Sequence, residues 1–406
     1  MIQSKTVAGK SLMFFIALSI LTMFLPPISL SIVSSTLTIY VGEIFLWVTL
    51  FLWIILIFNK RSFTFNGLGK YSLGLVLMGF LSLINTTDYG RFFIGFSTYV
   101  EVFLIIIMFS DIKLVGKFQE KIFMYYLYSG GILSLFIIGY TLIENEGSFL
   151  VGNKIILDIG ASNYLASILL LPFFIVFTQL TKSVFSVKGL ILVLLIGAAI
   201  IFTASRSALL IMIGLAFLFL LKDILFNRSA TLVKRVTSLT TVLVGSGLTY
   251  FIGREFIAQM IEAERFSNLS EQANLLSRFD IFEEYFLAFS QNPFLGKGFL
   301  NVDGMGEYYL AHNLFLQVLG DNGFIFFVLF VLLLVSIYRM LGRSFKSFEN
   351  PFLRMFVLGF RRGFLAIIIH GMLEPNFGTK LFMLYLFIGI GIIIATNYSS
   401  ETNMKY

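Results

Sequence analysis

Apolar runs of around 20 residues recur from one end of this chain to the other, and they constrain its fold more than any other feature. Each is long enough to cross a hydrocarbon core about 30 Å thick as a helix. The runs are continuous and do not alternate with polar residues, so a transmembrane barrel is not expected. Of the 406 residues 58% are hydrophobic and only 13% charged, and the mean hydropathy is +0.93. A soluble domain carries about 25% charged residues. The reading is an all-α polytopic membrane protein, one transmembrane domain over residues 1–406, with no room for a separate large soluble domain.

Twelve spans are expected, at 11–30, 38–58, 68–85, 92–110, 120–143, 161–180, 187–204, 207–226, 236–253, 313–337, 351–370 and 378–396. The first run exceeds a signal-peptide core and lacks a small-residue cleavage pattern behind it, so it reads as a spanning helix. With the N-terminus inside, nineteen Lys and Arg fall on the inner side and eight on the outer: Arg91, Lys154, Arg206, Arg254, Arg265, Arg278, Lys297 and Lys380. Arg361 and Arg362 lie within the eleventh span, where they must find partners, lipid phosphates or a water-filled cavity. This bias places both termini in the cytoplasm. The chain has no cysteine, which excludes a disulfide framework, a zinc ribbon and a thiol nucleophile.

Most connections are short. The exception is 254–312, a long loop on the outer side between spans nine and ten, where function is usually placed. Up to residue 311 it holds four cations against nine carboxylates, so any anion site in it must be local. Within it, LLSRFDIFEEYFLAFS carries Leu275, Phe279, Phe282, Phe286 and Phe289 at helical spacing, an amphipathic helix expected to rest on the bundle or the membrane surface. Asn292-Pro293 should stop it, and Gly296 and Gly298 should turn the chain. No internal repeat of the inverted-transporter kind is visible.

The residues able to carry chemistry gather at the outer face. Arg206, in FTASRSALL between spans seven and eight, and Arg278 present guanidiniums that can bind phosphate oxygens bidentately; an interfacial arginine would instead snorkel to headgroups. The only two histidines, His312 and His370, fall at outer helix ends, where an imidazole can act as a general base near pH 7 or simply cap or line an interface. They make no recognisable metal site. Asn313, Gln317 and Asp321 follow His312 as a polar stripe descending about 12 Å into the bilayer at about 1.5 Å per residue. Asp321 projects to the side opposite His312, so the stripe reads as helix packing and support for a site. Glu374, at the mouth of span eleven, could orient His312 or an acceptor hydroxyl, or cap a helix. There is no phosphate loop, dinucleotide fingerprint or Asp-rich metal–nucleotide motif. The energy for any reaction would have to arrive in an activated, membrane-borne substrate.

TASRSALL, LLSRFDIFEEYFLAFSQNPFLGKGF and AHNLFLQVLGDNG occur in that order. Together they resemble the signature segments of the O-antigen polymerase and O-antigen ligase superfamily, over about residues 160–335. The resemblance implies a GT-C-like bundle and a membrane glycosyltransferase with its site on the outer face of the bacterial inner (cytoplasmic) membrane, acting in lipopolysaccharide or capsule biosynthesis. Its donor would be an oligosaccharide on undecaprenyl pyrophosphate. By resemblance Arg206 and Arg278 would bind the pyrophosphate, and His312 would stand beside the acceptor hydroxyl, with Glu374 carried over more loosely. No metal and no other cofactor is implied, because the arginines take the role of a divalent cation. Besides the lipid-linked glycan and membrane lipids, a chain-length regulator and a flippase are the partners to look for, and no nucleic acid is expected. A polymerase is favoured over a ligase acting on lipid A-core. A transporter of the same lipid-linked glycans is the reading from another class, disfavoured because charged residues within the spans are few.

Overall fold

A computed structural model describes the chain except for Met1 and residues 4–5, 33–34, 61–64, 145–155, 183–185, 227–268, 305–306, 309 and 404–406. The expected ninth span (236–253), Arg254 and Arg265 lie outside the described residues. The fold is helical. In chain order the long helices are α1 (Val7–Thr22), α2 (Val41–Lys60), α3 (Gly67–Leu81), α4 (Tyr89–Asp111), α5 (Lys117–Glu144), α6 (Ser162–Lys182), α7 (Val187–Phe202), α8 (Arg206–Phe226), α9 (Leu269–Gln291), α10 (Leu314–Ser347), α11 (Pro351–Gly371) and α12 (Lys380–Asn403). Except for the ninth, each expected span has a helix at its position. Among the described residues seven are long and apolar enough to cross a membrane: α2, α3 with its 3₁₀ extension to Asn85, α4, α5, α6, α10 and α12.

The first helix departs from expectation. It starts earlier, at Val7, and stops at Thr22 instead of running to residue 30. Pro26-Pro27 cannot continue a helix. The chain beyond them, ISLSI and then STLTI, alternates apolar residues with hydroxyls and forms an antiparallel pair, Ile28–Ile32 with Ser35–Ile39.

The chain divides into two compact units. The first comprises residues 1–129, 275–348 and 371–406; it holds α1–α4, α10 and α12, together with most of α9. Its principal packings are α12 on α4, α1 on α2, and α3 on both α4 and α10. Tyr126 and Tyr385 stack in its core with ring centroids 4.3 Å apart, and each hydroxyl donates to the other's backbone carbonyl. The second unit comprises residues 130–274 and 349–370, with α6 packed on α7 and α8. There Gly359 and Gly363, one turn apart on α11, let its backbone approach α6 at Ile175 and Leu171. Small residues at this spacing are the usual means of close helix contact in lipid.

That second unit also accounts for Arg362. Its guanidinium donates two 2.9 Å bonds to the Asp223 carboxylate of α8 and one of 3.3 Å to Thr178 of α6, and it lies over the Phe219 ring. Lys182 reaches the same carboxylate at 2.6 Å. An arginine within an apolar helix is thus neutralised inside the protein, where an unpaired charge would be costly.

Candidate functional site

The site in the first unit is built on a broken helix. Gly323 of α10 has φ 74 and ψ −179, which interrupts the helix one turn below Leu319. The Pro293–Gly298 turn fills that break. Lys297 N–H donates to the Gly320 carbonyl (3.0 Å), Gly298 N–H to that of Asp321 (2.7 Å), and Phe324 N–H to that of Pro293 (2.8 Å). Asn85 donates its side-chain amide to the Gly296 carbonyl at 2.9 Å, tying the turn to the end of α3. Gly296 (φ 68) and Gly298 (φ 100) occupy conformations that favour glycine, as the sequence predicts for this turn.

The same turn ends α9, which includes the expected amphipathic segment. Tyr285 and Ala288 are buried in a cluster with Val302, Ala311 and Leu316, and Ile281 and Phe282 pack against it. Phe279 and Phe286, on the same expected apolar face as Phe282, are 62% and 60% exposed, so protein covers only part of that face. The reason lies in α10: Gly320 leaves no side chain where the Tyr285 ring sits, so the face bearing Tyr285 turns inward.

At the head of α10 three of the expected site residues come together. Glu374 is a buried carboxylate, its side chain 6% exposed. Its Oε2 meets His312 Nδ1 at 3.0 Å, and its Oε1 accepts from Arg278 Nη2 at 3.4 Å. The other two side chains reach outward, His312 33% and Arg278 40% exposed. A carboxylate can only accept, so Nδ1 carries the proton in a neutral imidazole and Nε2 is left with its lone pair. His312 itself lies in the left-handed region at φ 48, a sparsely populated conformation of the kind that clusters at functional sites.

Asn313 holds this arrangement from behind. It caps α10, its Oδ1 accepting from Phe315 and Leu316 N–H at 3.0 Å each, while its Nδ2 donates to the Met372 carbonyl, two residues before Glu374. One turn deeper, Gln317 Nε2 approaches Asp321 Oδ2 at 3.5 Å, and both are buried. They line a cavity of about 40 Å³ with Thr98, Tyr99 and Asn322. The stripe below His312 therefore faces protein.

Arg206 belongs to the second unit, as the first residue of α8. His370, also in that unit, is fully buried, so it is not an interfacial histidine. Its ring contacts Ser167 and Ser207. The spacing of TASRS to the second histidine, 163 residues, hides this pairing from the sequence.

No curated protein matches the chain. Residues 190–331, a stretch that contains Arg206, Arg278, His312, Asn313, Gln317 and Asp321 and stops short of Glu374, match the family model described as O-antigen ligase, and this match supports the O-antigen ligase and polymerase superfamily to which the motifs point.

Proposed function

We propose that the protein is a polysaccharide polymerase of the cytoplasmic membrane. It transfers a glycan from undecaprenyl pyrophosphate to a sugar hydroxyl of another lipid-linked repeat unit on the outer face. The observation that carries this reading is Glu374, a single buried carboxylate that holds an outward-facing guanidinium and an outward-facing imidazole together.

In this reading the acceptor oxygen attacks the anomeric carbon, and the bond from that carbon to the pyrophosphate oxygen breaks with its electron pair. The hydroxyl proton passes to His312 Nε2. Glu374, already accepting from Nδ1–H, stabilises the imidazolium that forms. Arg278 meets the charge that develops on the leaving pyrophosphate. Its present bond to Glu374, 3.4 Å, is longer than the about 2.7–2.9 Å of a strong charge-assisted pair, so exchange for a phosphate oxygen costs little. The resemblance has Arg206 bind the donor's pyrophosphate as well, a contact already made in the bound ground state, and a part of the proposal that its own variant tests. Asn313, Gln317 and Asp321 support the site.

The description of the matching family favours a second reading, ligase, in which the acceptor is lipid A-core. Purified protein, its lipid-linked repeat unit and EDTA, resolved on a gel, separate the two. A ladder of products that His312→Ala abolishes is the expected result. Transfer only after lipid A-core is supplied would make it a ligase, and a glycan that merely crosses the bilayer would establish transport instead.

A further inference from the structure

The TASRS segment is organised around the buried second histidine. The link from α7 to α8 is short and strained: Ala204 stands in the left-handed region at φ 55, and Ser205 N–H donates to Thr203 Oγ1 at 3.3 Å. From there a line of side chains runs through the unit. Ser205 Oγ lies 3.4 Å from Ser207 Oγ, Ser207 Oγ lies 3.2 Å from His370 Nε2, and His370 Nδ1 lies 2.9 Å from Ser167 Oγ on α6. Ser167 Oγ also donates to the Asn163 carbonyl at 2.8 Å.

One proton per hydroxyl gives this line a direction. Ser167 spends its proton on the Asn163 carbonyl, so at His370 it accepts, and Nδ1 carries the hydrogen. Nε2 then accepts from Ser207, and Ser207 accepts from Ser205. Every hydroxyl is used once, and the imidazole is the one member that accepts from α8 and donates to α6. Serine hydroxyls alone do not bridge that gap, because an aliphatic side chain at 370 would leave Ser207 without its acceptor and Ser167 without its donor.

We infer that His370 is a positioning residue: through Ser207 it fixes the first turn of α8 and so the setting of Arg206 for an anionic group of the donor. This rests on the pyrophosphate role proposed above for Arg206. A residue acting this way should matter for donor binding and far less for the chemical step.

The test is steady-state kinetics on the full-length protein in liposomes with the lipid-linked repeat unit as substrate. His370→Leu is expected to raise KM for the donor about tenfold, the equivalent of roughly one hydrogen bond, with kcat within about threefold. His370→Gln, whose amide can accept from Ser207 and donate to Ser167, should restore KM. Ser207→Ala should reproduce the Leu variant, and it decides the matter if that variant fails to insert. Combined with Arg206→Ala, His370→Leu should add nothing further, since both act on one contact. Wild-type KM in Ser207→Ala, failure of Gln to rescue, or losses that multiply in the double variant would each overturn the inference. An unaffected Arg206→Ala variant would instead sink the proposed role of Arg206, a distinguishable failure.

Discussion

His312 and Glu374 are 62 residues apart, and the value of each depends on the other. Alone, His312 is an exposed imidazole free to turn; with Nδ1–H held by a buried carboxylate it presents Nε2 in one direction. Glu374→Gln keeps an acceptor oxygen for Nδ1–H and removes the charge that steadies an imidazolium. Its kcat should fall about tenfold, and that of Glu374→Ala by about a hundredfold or more, within the span typical of acid–base contributions. Single-turnover rates with saturating donor check this, and equal losses in the two variants would mean that Glu374 acts by packing alone. The histidine and Arg278 were legible in the sequence because each stands in a dense motif. Glu374 was legible only as an acid near a span end, since its neighbours in sequence carry no pattern and its partners come from distant segments. His370 shows the converse: a histidine at a helix end reads as an interface residue, and only the fold reveals a fully buried ring between two serines.

At the scale of elements, periodicity and turn chemistry located the helices well. Asn292-Pro293 ends α9 as expected, and the two glycines behind it take positive φ. Missed features were those set by a partner element. The inward face of α9 follows the space left by Gly320, and the α10 break follows a turn that inserts backbone donors into it. Gly298 is a sharp probe of that insertion. At φ 100, with Thr86 filling the place of any Cβ, Gly298→Ala is both strained and sterically blocked. It should lose about 2 kcal/mol of stability, in the range of a forced backbone outlier. The α11 arginine makes a parallel case, unexplained in sequence because Asp223 lies 139 residues away on another helix. Arg362→Ala leaves that carboxylate with Lys182 alone and should cost about 3 kcal/mol, as breaking a buried pair does. Thermal unfolding in detergent measures both, and a Tm equal to wild type in Arg362→Ala would show the carboxylate fully satisfied by the lysine.

For the whole molecule the decisive quantity is which ends of the helices face out. Among the described residues seven helices meet the demands of length and hydropathy by themselves. Three of the others fall short for identifiable reasons. At about 1.5 Å per residue, the 16-residue helices α1 and α7 reach only about 24 Å, and α11 carries three arginines, Arg354, Arg361 and Arg362. The charge bias read from the sequence carries the expectation to be tested, with 117 inside and 290 outside. The absence of native cysteine makes this directly measurable. Single cysteines at Lys117, the first residue of α5, and at Ser290, near the end of α9, both occupy exposed positions. A membrane-impermeant maleimide applied to intact cells (spheroplasts, if an outer membrane intervenes) should label Ser290→Cys and spare Lys117→Cys until the membrane is opened. The His312–Glu374 centre, reached through the same α9–α10 segment, would then face the compartment where a lipid-linked glycan meets its acceptor. The opposite pattern would put that centre on the cytoplasmic side, and the proposed polymerisation on the outer face would fall with it.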